Sequence, residues 1–144
     1  MEIRKLPAYY SFWSKPTRIC CVYLKIIMPN IVTKNLDSTE NQRTFVDGSK
    51  RTVVVLESVA IGRGEYLPGW KWSEHVGSQT GKSSEAHIGY IIRGQMVIRG
   101  TDGREVLVGP GDVFEVQSGH DAWVVGDESC IALDFESLDK SENS

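Results

Sequence analysis

From about residue 45 onward the chain is a succession of short apolar runs, each cut off by glycine, proline or aspartate after a few residues. Residues 51–61 are rich in Val, Leu and Ile, and Gly62-Arg63-Gly64 breaks that run. Glu65-Tyr66-Leu67 leads to a Pro68-Gly69 turn, and residues 70–75 alternate aromatic and polar side chains at the two-residue period of a strand. Residues 76–84 are small and polar and read as a loop. Further strands are expected over 87–93, 95–99, 105–108, 113–117, 122–125 and 130–135, with a kink at Gly94. Asp102-Gly103 is a strong hairpin signal, because Gly tolerates the positive φ of a tight turn. No amphipathic helix of convincing length appears after residue 45. Many short strands with glycine-rich turns must close on themselves to remove their edges, so the fold class is all-β, a sandwich or barrel. The Cys…Trp…Cys spacing of immunoglobulin-type sandwiches is missing.

With 144 residues the chain is long enough for one domain and its core. The domain is expected over 45–136, preceded by an extension over 1–44 and followed by a polar tail over 137–144. Charge is unevenly spread: residues 1–34 carry net +5, whereas 35–144 carry net −8. An acidic body lacks the clustered Lys and Arg that displace counterions from a nucleic acid, so no nucleic-acid partner is expected. No run of 18 apolar residues is present, so neither is a membrane partner. Residues 19–28 follow a basic stretch as a signal peptide would, but Lys25 interrupts them and no small-x-small cleavage site follows. A docked strand or helix, or an extension ahead of a start at Met28, are the alternatives. The cysteines are Cys20, Cys21 and Cys130, an odd count without C-x-x-C spacing. Reduced thiols and a cytoplasmic setting are the plain reading, with Cys130 a small core residue.

All three histidines, His75, His87 and His120, fall in two glycine-punctuated blocks, and neutral imidazole is a common metal ligand. The blocks resemble the two motifs of the cupin superfamily, in particular its small single-domain, conserved-barrel members. The first motif has the form G-x5-H-x-H-x(3,4)-E-x6-G. Gly69 and His75 match its opening, Gly77 stands where a second histidine belongs, and His87 takes the glutamate slot ahead of Gly94. The second motif has the form G-x5-P-x-G-x2-H-x3-N. Gly111 and Gly119 match it, while Gln117, Ala122 and Gly126 replace its proline, histidine and asparagine. His120 lies two residues before the histidine slot, on the same face of a regular strand.

The resemblance spans roughly 45–136 and implies a double-stranded β-helix, the jelly-roll barrel, forming a homodimer. It also implies a divalent ion (Zn, Fe, Mn or Ni) at the barrel mouth, held by His75, His87 and His120. Each histidine could equally be hydrogen-bonded there with no ion. Glu85, Gln95, Tyr90 and Trp123 are candidates for contact with a small-molecule ligand. Trp70 and Trp72, by strict alternation opposite His75, are expected to pack between sheets or at a dimer contact. Two functions from different classes follow: a metal-dependent enzyme of dioxygenase, isomerase or decarboxylase type, or a non-catalytic binding or sensing barrel without metal.

Overall fold

A computed structural model describes residues 30–138. The readings of the N-terminal stretch, including 19–28, and of the tail beyond 138 lie outside those residues. Nine strands follow a short 3-10 turn at Thr39–Asn41. They are β1 (Gln42–Thr44), β2 (Lys50–Val55), β3 (Val59–Tyr66), β4 (His87–Arg93), β5 (Gln95–Arg99), β6 (Glu105–Val108), β7 (Val113–Val116), β8 (Asp121–Val125) and β9 (Cys130–Ser137). Among the described residues no helix is long and apolar enough to cross a membrane.

The strands form two antiparallel sheets. The larger has the order β1-β2-β3-β9-β4-β7 and the smaller β6-β5-β8. A single bridge between Lys71 and Trp123, with the Val124 amide donating to the Trp70 carbonyl at 3.0 Å, adds residues 70–71 to the free edge of β8. Period-two alternation is clear in β5 and β8, where Met96, Ile98, Ala122 and Val124 are buried and the residues between them are not. These four meet Ile91, Cys130 and Ala132 of the larger sheet, together with Trp70 and Val108, in one core between the sheets. Ile91 and Cys130 are completely enclosed. The outward parity of β4 and β7 leaves Ile88, Tyr90, Ile92 and Val113 exposed.

Two local expectations are corrected. Gly62-Arg63-Gly64 does not end a strand but lies within β3, paired to β9 from Val59↔Ser137 to Tyr66↔Cys130. The break comes earlier, at residues 56–58, where the Leu56 amide donates to the Val59 carbonyl at 2.9 Å. Residues 70–75 do not form a regular strand either. After the bridge at Lys71 the chain turns into a π-helical segment, Ser73–Gly77, continuing as an α-helical turn, Ser78–Thr80. Aromatic-polar alternation over six residues fits both periods, and the competing helix is held by its own bonds. The His75 amide donates to the Lys71 carbonyl at 2.9 Å, and the Ser73 amide and hydroxyl donate to Asp121 at 2.9 and 2.8 Å.

Glycine has two separable uses here. Gly103, in the β5–β6 hairpin, has φ +83° and open space where a Cβ would stand. Gly94, between β4 and β5, has φ +73°, and a Cβ there would lie 2.4 Å from the Ser129 carbonyl oxygen. Gly103→Ala should therefore cost about 1 kcal/mol, the left-handed penalty alone. Gly94→Ala should cost that plus an overpacking term of about 1–3 kcal/mol. Chemical denaturation of the two variants checks this, and equal losses would contradict the close approach.

Candidate functional site

Between the sheets lies a cavity of about 320 Å³, near the lower end of the size range of small-molecule sites. The larger sheet provides its floor. At inward positions Gly62, Gly64 and Gly89 carry no side chain, and larger groups from neighbouring positions lie over them. A Cβ at Gly64 would fall 2.1 Å from the Tyr66 ring, and one at Gly89 would fall 2.1 Å from the Phe114 ring. A Cβ at Gly62 would meet the Asp134 carboxylate and the Arg51 guanidinium. Arg51 pairs with Asp134 and, at 3.2 Å, with Glu136, so three charged groups are held across β2 and β9 inside the barrel. Burial pushes the Tyr66 phenol up, and the Asp134 charge pushes it further, so it stays protonated and is a hydrogen-bond donor.

Trp70 is buried and faces Tyr66 with ring centroids 4.1 Å apart and planes tilted by 31°. Its position follows from the pairing of residues 70–71 with β8. Its Nε1–H is enclosed with no hydrogen-bond partner among the described residues, at a cost of about 1–3 kcal/mol offset by burial of the large ring. Trp72 also lines the cavity, so the two tryptophans are walls of the site as well as packing residues.

His87 and His120 meet at this cavity, their ring centroids 5.1 Å apart and their planes at 61°. His120 is buried, in the turn just before β8, and shares inward parity with Ala122 and Val124. Its Nδ1 lies 2.8 Å from the Gln117 carbonyl oxygen. His87 Nδ1 lies 3.0 Å from the Glu85 carbonyl oxygen. A carbonyl only accepts, so in the neutral ring each Nδ1 carries the proton and each Nε2 keeps a lone pair. Neither Nε2 has a hydrogen-bond partner among the described residues. Buried Ser84 fixes the loop that leads into β4. Its hydroxyl donates to the His120 carbonyl at 2.6 Å and lies 3.2 Å from His120 Nδ1, while its carbonyl accepts from the Gly119 amide at 3.0 Å. Burial lowers the His120 pKa; the Gln117 bond opposes this and His87 adds to it.

His75 is not part of this cluster. It sits on the helical segment, and its Nδ1 lies 2.9 Å from the Lys71 amide nitrogen and 3.0 Å from the Lys71 carbonyl oxygen. The expected trio assumed a strand through residue 75; the helix carries that side chain to its own first turn instead. Glu85 lines the cavity from the loop before β4. Tyr90 has the opposite parity to His87 and faces outward, 37% exposed. Gln95 is exposed and does not line the cavity. Trp123 points away from Ala122 and Val124 to the outer face of β8, between Lys71 Nζ at 5.6 Å and Arg99 Cζ at 5.0 Å from its ring centroid. Arg51, Tyr66, Ser84, Phe114 and Asp134 were not among the expected site residues. The legible signal was Asp134, a carboxylate in phase with the buried Cys130 and Ala132 of β9.

The ion implied by the resemblance was tested against these donors. Catalytic sites for the ions considered keep about three protein ligands. Here two imidazoles converge, and the neighbouring carboxylates of Asp134 and Glu136 are engaged by Arg51. Among the described residues no group of three or more His, Cys, Asp or Glu side chains is arranged to hold a metal ion. The residues present do not fit the implied centre. Cys130 is enclosed in the core and does not line the cavity, and burial pushes its thiol up to about 11.

Solved structures share the architecture. A sugar phosphate isomerase of the cupin superfamily from Silicibacter pomeroyi is 17% identical, with a TM-score of 0.56 over 75% of this chain and 76% of that one. KdgF from a Halomonas species is 16% identical, with a TM-score of 0.55 over 78% and 98%. A cupin 2 conserved barrel domain protein from Salinispora arenicola is 18% identical, with a TM-score of 0.55 over 78% and 92%. No protein-family model matches the chain, and no curated protein sequence is significantly similar to it. The all-β expectation and the expected jelly-roll barrel are thus both met: the chain has the cupin fold.

A folded state that resists protonating His120 binds fewer protons than the unfolded chain. Its contribution to stability is therefore present above the ordinary histidine value of 6.5 and is lost as pH falls. Chemical denaturation between about pH 8 and pH 5 should show falling stability, with a shallower fall in His120→Gln. Parallel profiles would contradict the assignment.

Proposed function

We propose that this cupin-fold chain is a small-molecule binding barrel whose ligand contacts the protein directly, without an ion between them. The observation that carries this reading is the cavity itself. It has aromatic walls at Tyr66, Trp70, Trp72 and Phe114, and two oriented imidazoles with no third metal-ligating side chain grouped with them among the described residues. Apolar cavities with a few fixed polar groups are the usual form of ligand sites. Binding or sensing needs nothing more, whereas a metal-dependent reaction needs a donor set that these residues do not complete.

One observation favours the metal-dependent reading. Metal-ligating histidines characteristically donate their other ring N–H to a carbonyl or carboxylate, and His87 and His120 both do so. The two readings separate in one experiment. Protein stripped with a chelator is titrated with indole, followed by the side-chain N–H resonances of the tryptophans, and separately with Zn²⁺ by calorimetry. Saturable indole binding that shifts the Trp70 and Trp72 signals, without stoichiometric zinc uptake, is expected. One equivalent of zinc bound tightly, and lost in His87→Ala, would overturn the proposal.

A further inference from the structure

Resting on that reading, we infer that the ligand is a small uncharged molecule whose flat aromatic ring carries neighbouring hydroxyl groups, and that these hydroxyls donate to Nε2 of His87 and of His120. The inference comes from which polar atoms the cavity leaves available. Both Nδ1 protons are committed to backbone carbonyls, Gln117 for His120 and Glu85 for His87. What each ring offers a ligand is therefore a lone pair. On the floor the Asp134 and Glu136 carboxylates also only accept and hold Nη2 of Arg51, while the Tyr66 hydroxyl and the enclosed Trp70 Nε1–H, on the same lining, are donors. A ligand meeting the two histidines needs donors, which a hydroxyl supplies while it can still accept from a neighbouring N–H or O–H, and a carboxylate or phosphate brought to the two rings would face lone pairs.

Two further features narrow the class. The cavity lining is formally neutral, with Arg43, Arg51 and Lys82 balanced by Glu85, Asp134 and Glu136. That balance removes the driving force for taking up a charged guest. Away from the histidines the walls are ring faces, Trp70 and Tyr66 lying 4.1 Å apart and Phe114 lying over Gly89. Flat rings meet such walls with more contact than a puckered polyol does. The two imidazoles, one on β4 and one in the turn before β8, stand only 5.1 Å apart, so a pair of adjacent hydroxyls suits them better than one. The volume of about 320 Å³ suits a molecule of one or two rings.

The test compares three probes on chelator-stripped protein by calorimetry: catechol, 1,2-dimethoxybenzene and cis-cyclohexane-1,2-diol. The second keeps the ring and loses the donors; the third keeps the donors and loses the flat ring. Catechol should bind at least about tenfold more tightly than either, because leaving buried acceptors unmet is costly. His87→Phe, which keeps a ring and removes one lone pair, should bring catechol close to the dimethoxy compound. The probe comparison needs no variant and stands even if one fails to fold. Equal affinity for catechol and its dimethyl ether would overturn the donor assignment, and equal affinity for the cyclohexane diol would overturn the aromatic one. If indole binds and catechol does not, this inference falls while the binding reading survives. If no probe binds, both fall.

Discussion

Three inward positions of the larger sheet have no side chain, and the interior of the barrel is arranged around that absence. With a Cβ at Gly62, Gly64 or Gly89, the Arg51–Asp134 pair, the Tyr66 ring or the Phe114 ring would have to move. Without one, each of these groups lies across the floor instead of projecting into the cavity. The barrel is thus neither filled by its own side chains nor an empty shell. It encloses a space bounded by rings and by one ion-pair cluster. A buried pair of this kind adds little net stability, because desolvation offsets most of the attraction. Its consequence here is positional, since it ties Arg51 to β9.

Those histidines owe their orientation to the backbone. Carbonyls of Gln117 and Glu85 fix which ring nitrogen holds the proton, and Ser84 ties the loop before β4 to the turn before β8. Two imidazoles, one on β4 and one in the turn before β8, are thereby held 5.1 Å apart with lone pairs uncommitted. Pre-organisation of this kind lowers the cost of binding, because the acceptors are in place before a ligand arrives. The same feature explains why the site could be read as a metal centre. Metal ligands and hydrogen-bond acceptors use the same lone pair; the number of converging donors separates them.

Much of the fold was legible because its signals are local. Asp102-Gly103 and Gly94 sit where the strands break, and the strands expected over 95–99 and 122–125 are found as β5 and β8. The inward parity assigned to His120 from its offset to residue 122 agrees with its buried position beside Ala122. Failures came where a pattern is shared by two structures. Residues 70–75 satisfy a two-residue period, yet tertiary bonds from Asp121 and a helical carbonyl ladder decide for a helix, and His75 leaves the site with it. Gly62-Arg63-Gly64 looks like a turn because glycine usually marks one. Its glycines are instead explained by the side chains of Tyr66 and of Asp134, the second from a strand that no local window includes. Tyr90 and Trp123 were chosen for chemical type rather than parity, and parity with His87 and with Ala122 would have placed both outside.

The protonation of two rings bears most directly on this account. Long-range proton–nitrogen NMR spectra of chelator-stripped protein, recorded above the ordinary histidine range, distinguish the tautomers of His87 and His120. The account predicts Nδ1–H with an unprotonated Nε2 in both. A ring carrying its proton on Nε2 would present a donor to the cavity and contradict the acceptor pair on which the ligand assignment depends.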